Sequence, residues 1–375
     1  MTPAGVERRD GVQRKPVDHI LLAAVLTLLG FGIVMVFSAS SIEASVLNHN
    51  PYYYLERQLV WAGLGLAIMA FLARFDYHRL AQLAQPVAIA TVVLLLVVLV
   101  PHIGREVNGA RRWLGFGSLL FQPSELAKFS LVLFFALWLA RMPRLDRFWQ
   151  GIGVPLAIYL PIAFLIIKEP DLGTALALGG TVFTMLFVAG VNLWQFFGIV
   201  ALALPVVGVA IVVAPYRLQR FLAFLHPQAD PQGTGYHIIQ SLYALGSGGL
   251  FGTGLGQGAL KYFYLPEQHT DFIFAIIGEE LGLIGALAVL ALFLVLTWRG
   301  LRVAMLAPDR FGALLAVGLT AMVAVQALMN IAVVTASMPI TGIPLPFISY
   351  GGSSLIFALG AMGILLNISR QAVKA

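Results

Sequence analysis

"HILLAAVLTLLGFGIVMVFSAS", residues 19–40, contains no Asp, Glu, Lys or Arg. A helix rises 1.5 Å per residue, so roughly 20 apolar residues cross a hydrocarbon core of about 30 Å. This stretch is therefore a membrane span. It is too long for a signal-peptide core and no small-residue cleavage site follows it, so it reads as a retained anchor.

Working outward, comparable runs recur at about 58–73, 82–101, 123–140, 151–167, 172–190, 193–214, 272–298, 311–335 and 352–369. The expected fold is all-α and polytopic, with about ten transmembrane helices and a large outer loop between helices 7 and 8. The second run is short and only "KEPD" parts the fifth from the sixth, which leaves eight or nine spans open as a count. The 375 residues are 59% hydrophobic and 11% charged, against roughly 25% charged in soluble domains. Lipid cannot satisfy free backbone N–H and C=O groups, and no period-2 alternation marks a barrel strand, so helices do the spanning. Residues 1–17 read as a polar tail, 18–370 as one integral domain and 371–375 as a second short tail. No internal repeat is visible.

Charge sets the expected orientation. With ten spans and an inside N-terminus, Arg8, Arg9, Arg14, Lys15, Arg74, Arg79, Arg141, Arg144, Arg147, Arg299, Arg302, Arg310, Arg370 and Lys374 share one side, a majority of the 23 Lys and Arg. Under the positive-inside rule that side is cytoplasmic, and both termini lie there. The remaining Arg57, Arg105, Arg111, Arg112, Lys128, Lys168, Arg217, Arg220 and Lys261 lie on, or open toward, the outer side, where topology does not explain them. They are either solvated loop residues or the lining of a site for an anionic ligand. No soluble domain is present to bind nucleic acid.

The chain has no cysteine, which removes disulfides, thiol nucleophiles and thiolate metal sites. Its seven histidines are scattered without metal-ligand spacing. Two outer loops stand out, at about 102–122 and 215–271. Within the second, the glycines from Gly246 to Gly258 lack the GK[ST] of a phosphate loop and read as tight turns and close packing. "YHIIQSLYAL" has helical periodicity and reads as an interfacial helix.

Carboxylates inside apolar runs carry the functional question. Pro123 suits a first helical turn, and Glu125 and Lys128 sit three apart on one face, as either a structural ion pair or a cavity lining. Lys168, Glu169 and Asp171 surround Pro170 in a turn on the outer side. Asp271 stands at the outer mouth of helix 8, as a helix cap or as an ionised carboxylate able to take a proton. Glu279 and Glu280 follow in the same helix; at least one needs a partner, and Lys128 is the cation expected to supply it.

"ARRWLGFGSLLFQPSELAK", "EPDLGTALAL", "GYHIIQSLYALGSGGLFGTGLGQG", "YLPEQHTDFIFAIIGEELG" and "GIPLPFISYGGSSL" occur in this order across residues 19–370. The pattern resembles the SEDS family (shape, elongation, division and sporulation), its FtsW and SpoVE branch more than RodA. The resemblance implies a peptidoglycan glycosyltransferase in the bacterial cytoplasmic (inner) membrane. It would polymerise lipid II on the outer face, for septal division or sporulation, working with a class B penicillin-binding protein in a divisome or related cell-wall complex. It makes Asp271 of "HTDF" the essential catalytic carboxylate, Trp113 of "RRW" a functionally important position, and Glu125 and Lys128 of "QPSELAK" a pair lining the central cavity. Ser349 of "ISYGGSS" takes a structural part.

The expected chemistry is an inverting displacement. Asp271 takes the proton of an acceptor GlcNAc 4-hydroxyl as it attacks the anomeric carbon of the donor MurNAc, and the growing glycan strand leaves undecaprenyl pyrophosphate. Arg111, Arg112, Arg217, Arg220, Lys261 and Lys128 supply positive charge for the leaving group, with Arg112 beside Trp113 the chosen direct contact. Lys168, Asp171, Glu279 and Glu280 are supporting candidates. No cofactor is certain; a divalent cation such as Mg²⁺ bridging the pyrophosphate to a carboxylate is open, without a dedicated ligand cage in the sequence. Competing classes are a flippase for the lipid-linked precursor and a noncatalytic scaffold for a penicillin-binding protein.

Overall fold

The computed structural model describes residues 16–107, 109–116, 119–142, 145 and 149–372. Most of the two expected tails, and Arg8, Arg9, Arg14, Lys15, Arg144, Arg147 and Lys374, lie outside the described residues.

Ten helices among the described residues are long and apolar enough to cross a membrane. They are α1 (His19–Asn48), α2 (Tyr53–Leu72), α3 (Leu80–Leu99), α4 (Pro123–Arg141), α5 (Val154–Lys168), α6 (Leu172–Ala189), α7 (Leu193–Val212), and, after two short helices α8 (Pro215–Leu225) and α9 (Tyr236–Gly248), α10 (Ile273–Met305), α11 (Arg310–Val334) and α12 (Gly352–Gln371). The protein is thus an all-α polytopic membrane protein. Local chemistry sets the boundaries. Asp18, Asp171, Asn192 and Asp309 accept hydrogen bonds from backbone N–H groups in the first turns of α1, α6, α7 and α11, and Pro123 occupies the first turn of α4. The "KEPD" turn therefore separates two real spans, because Asp171 caps the second of them.

α11 packs against α4, α6 and α10, while α12 packs on α2. α11 and α12 are mostly buried; α7 touches the bundle through few residues and turns Leu202, Leu204, Val206 and Val209 outward. In a bilayer these apolar side chains face acyl chains without cost. At one end the start of α1 meets the end of α12, where the Asp18 N–H donates to Ser369 Oγ at 3.2 Å, and Arg299 near the end of α10 pairs with Asp18. Asp271, preceding α10, lies at the opposite end.

Two features differ from the sequence expectation. The first outer loop folds into a three-stranded antiparallel sheet: β1 (Arg105–Val107), β2 (Ala110–Phe116) and β3 (Leu119–Phe121), in the order β1-β2-β3. Arg105 pairs with Trp113, Glu106 with Arg111 and Val107 with Ala110. The Asn-Gly at 108–109 is the sequence signal for this hairpin, and Gly109 takes φ +76°.

Second, α10 is broken. Gly282 has φ +67° and ψ −167°, which divides the element into a segment before it and a helix from 283 to 305. The break is occupied by the glycine loop: Thr253 N and Gly254 N donate to the carbonyls of Glu279 and Glu280 at 2.9 and 3.0 Å, and Leu283 N donates to Gly249 O at 2.9 Å. Backbone groups freed by the break are thereby satisfied, as an apolar environment demands. A Cβ on Gly282 would lie 2.4 Å from Gly252 N. The glycines are turns and close contacts, as the sequence suggests.

Candidate active site at the mouth of α10

Asp271 is held from both sides by backbone rather than through its own carboxylate. Asn330 Nδ2 on α11 donates to Asp271 O at 2.7 Å and to Ile343 O at 2.8 Å. Ser349 Oγ donates to Thr270 O at 2.6 Å and accepts from Leu345 N at 2.8 Å, and Tyr350 N donates to His269 O at 2.9 Å. The 341–350 segment therefore clamps "HTD" in place, and Ser349 is one of the clamps. The cap reading of Asp271 is not realised: Phe272 occupies the N-cap position of α10 and no side chain caps it. A Cβ on Gly342 would stand 3.5 Å from Asp271 Oδ2, so this residue leaves the carboxylate uncrowded on that side.

Electrostatics at Asp271 are mixed. Burial pushes its carboxyl up to about 7, with Glu267 and Asp171 adding to the rise and Arg112 and Arg220 opposing it. A carboxyl poised there exchanges protons near neutral pH, where an acid–base group is most effective.

Arg112 comes from β2. Its Nε donates to Glu169 O at 3.0 Å and its Nη2 to Pro170 O at 2.5 Å, while Nη1 lies 3.8 Å from Asp171 Oδ2. Asp171 is itself committed, accepting from Thr174 N at 3.0 Å, Thr174 Oγ1 at 2.9 Å and Gln122 Nε2 at 3.4 Å. The sheet is thus tied to the turn before α6. Glu169 is fully buried, neither carboxylate oxygen has a hydrogen-bond partner among the described residues, and burial with Asp171 nearby raises it to about 9. It is a neutral acid at physiological pH.

Glu125 and Lys128 do pair, at 2.9 Å, both almost wholly buried. Lys128 Nζ also donates to Gln326 Oε1 at 2.7 Å, and Gln326 Nε2 donates to Pro344 O at 2.9 Å. Gln326 and Asn330 are four apart on α11, hence on one face, and both end on the 343–344 backbone. The pair on α4 and the carboxylate before α10 are therefore braced by the same segment.

The expectation that Lys128 partners Glu279 or Glu280 is corrected. Lys261 Nζ, almost completely buried, pairs with Glu280 Oε1 at 2.9 Å; Ser38 Oγ donates to the same carboxylate and Gly256 N donates to Oε2 at 3.0 Å. Glu279 Oε1 accepts from Ala259 N at 2.7 Å and Leu260 N at 3.1 Å. Lys128 is instead committed to Glu125 and Gln326, and the glycine loop that folds into the break supplies partners to both glutamates. These two glutamates fasten that loop.

The other candidates are dispersed. Arg111 pairs with Glu106 at 3.3 Å on the exposed face of the hairpin. Trp113 is half-buried on β2, on the face it shares with Arg111 by strand alternation. Arg217 donates to Ala210 O and Ile167 O, both at 3.0 Å, and so fixes α8 to α7 and α5. Arg220 is exposed, 6.0 Å from the Tyr216 ring, and acts on the charge of Asp271. Lys168 turns outward over Phe164. Sequence reading named Glu169 only as part of the outer turn and missed Glu267, Gln326 and Asn330. Amides in a strongly apolar helix are a usable signal for Gln326 and Asn330, since each needs a polar partner there.

Ten spans and a buried carboxyl at one end, positioned through its backbone while arginines from separate elements act on its charge, define a polytopic membrane protein with an enzyme-like polar site. The family of cell cycle proteins that groups FtsW, RodA and SpoVE matches residues 19–374, and the chain belongs to it. It is similar to stage V sporulation protein E of Bacillus subtilis, 44% identical over 94% of this chain and 97% of that one. It is 45% identical to the "Probable peptidoglycan glycosyltransferase FtsW" of Geobacter metallireducens, over 94% and 95%. Among solved structures it resembles a chain of a peptidoglycan synthase complex that couples polymerization and crosslinking (TM-score 0.79, 34% identity, 94% and 98% covered) and RodA of Thermus thermophilus (TM-score 0.71, 32% identity, 96% and 98% covered).

Proposed function

We propose that this chain is a peptidoglycan glycosyltransferase that polymerises lipid II into β-1,4-linked glycan at the outer face of the cytoplasmic membrane, together with a class B penicillin-binding protein. The observation that carries the reading is Asp271: a carboxyl raised to about 7, positioned through its backbone and left uncrowded beside Gly342. The relatives' names and the family membership support the same class of enzyme.

Asp271 serves as general base. It accepts the proton of the acceptor 4-hydroxyl while that oxygen forms its bond to the anomeric carbon of the donor, and the C1–O bond to pyrophosphate breaks with inversion. Arg112, anchored by two carbonyls, and the exposed Arg220 place positive charge near the departing anion without reorganising. Among the described residues no three His, Cys, Asp or Glu side chains are grouped so as to hold a metal ion. The undecaprenyl tail lies along the apolar outer faces of the helices.

The test is strand synthesis from purified lipid II by the full chain with its penicillin-binding partner in lipid vesicles. Wild type should make glycan and Asp271→Asn should not, with both proteins folded and partner-bound. Glycan from the Asn variant at the wild-type rate would remove Asp271 from the role of base.

A further inference from the structure

At the end of the bundle remote from Asp271, the last turns of α2 and α12 and the start of α1 enclose a cavity of about 360 Å³. Leu22, Met69, Ala70 and Leu366 form its apolar walls, and Arg74 and Arg370 stand at its rim. A second cavity of about 400 Å³ shares Ala70 and Arg74 and is lined further by Ala67 and the stacked rings of Phe71 and Phe75. The slot is built rather than incidental. Arg370 Nη1 and Asn367 Nδ2 both donate to Ala73 O, at 3.2 and 3.1 Å, which sets the guanidinium and covers the last carbonyls of α2.

Neither arginine is neutralised. Among the described residues no carboxylate pairs with Arg74 or Arg370, and Asp18 at the start of α1 is committed to Arg299 through contacts of 2.5 and 2.9 Å. Two guanidiniums over an apolar slot that opens toward the lipid call for a ligand with one anionic head and long apolar chains. A free anion would leave both apolar cavities unfilled.

We infer that this slot binds an anionic phospholipid, its phosphate between Arg74 and Arg370 and an acyl chain along Ala70 and Phe71. Nothing in the glycosyltransferase reading requires or supplies this site, so the two stand or fall separately. A lipid wedged between α1, α2 and α12 would tie together the helix ends on which the opposite, catalytic end is built.

The experiment measures phosphatidylglycerol retained by the full chain after delipidation and exchange into detergent, by native mass spectrometry and thermal shift, with phosphatidylcholine and inorganic phosphate as parallel probes. Wild type should retain phosphatidylglycerol at least tenfold over phosphatidylcholine. Arg74→Gln should lower retention about fivefold, and Arg74→Gln with Arg370→Gln further still. The Arg74 side chain makes no hydrogen bond to the described residues, and its backbone bond to Phe71 O is untouched by substitution, so its variant keeps the fold. Ala70→Trp, which fills the slot and leaves both charges, should also reduce retention, whereas Arg302→Gln, an exposed arginine at the same end, should not. Equal retention of the two lipids, unchanged retention in Ala70→Trp, or full stabilisation by inorganic phosphate alone would overturn the assignment.

Discussion

Asp271 carries opposite consequences for rate and for stability. Its folded-state proton affinity is raised to about 7, against an ordinary value near 3.9 in an unfolded chain. The fold therefore holds the proton more tightly than the unfolded chain does. Stability from this group is fully present below about pH 4, falls as pH rises toward 7, and is then constant. Activity runs the other way, since the base works only when ionised. Strand synthesis should climb through pH 7, and Asp271→Asn should lose at least a hundredfold in rate while melting higher than wild type at pH 8. A thermal melt and a pH–rate profile on the same preparations check both arms. Glu169, raised to about 9 and without hydrogen-bond partners, follows the same sign over a wider window. The advantage of Glu169→Gln over wild type in melting temperature should grow from about pH 4 to pH 9 and then level. Arg112→Lys should not replace Arg112: one ammonium cannot reach two carbonyls and Asp171 in the planar fork that the guanidinium provides, so synthesis should stay about as low as in Arg112→Ala.

At the scale of elements, the same bonds explain what the sequence shows and what it hides. Ten apolar runs are legible because lipid imposes length and composition on each helix independently of its neighbours. Asp271 and the Glu125–Lys128 pair are legible because charge in such runs demands a reason. The break at Gly282 is not, since apolar composition continues through it and the cause is a loop some 30 residues upstream in the chain. Lys261 reads as an outer cation because its partner, Glu280, becomes adjacent only when that loop folds back into the break. Removing one member of this buried pair, as in Lys261→Met, should cost about 3–5 kcal/mol and appear as lost folded yield, with Gly282→Ala at least as severe. Exchanging Glu125 and Lys128 should fail to restore either melting temperature or synthesis lost in the single variants. A carboxylate at position 128 would meet Gln326 Oε1, and turning that amide would forfeit its bond to Pro344 O beside the Asp271 clamp. Melting curves and strand synthesis on the singles and the exchanged double separate this from a free-standing ion pair, which the exchange would rescue.

For the whole molecule, the even number of spans places the start of α1 and the end of α12 together, and the contact between Asp18 and Ser369 shows them meeting. Arg74, Arg79, Arg141, Arg299, Arg302, Arg310 and Arg370 gather at that end with only Asp18, Asp76 and Asp309 among the described acids, while Asp271 stands at the other. The proposed function requires the arginine-rich end to be cytoplasmic, as the positive-inside rule favours, with Asp271 at the outer face. The absence of cysteine turns this into a direct measurement, because any introduced thiol is the only one in the protein. Gln232→Cys, exposed in the connection between α8 and α9, should react with a membrane-impermeant maleimide in intact spheroplasts. Met305→Cys and Ala372→Cys, at the arginine-rich end, should react only after lysis. The reverse pattern would place Asp271 on the cytoplasmic side, where the outer-face polymerase could not work, and would leave a protein that handles the lipid-linked precursor before it crosses the membrane.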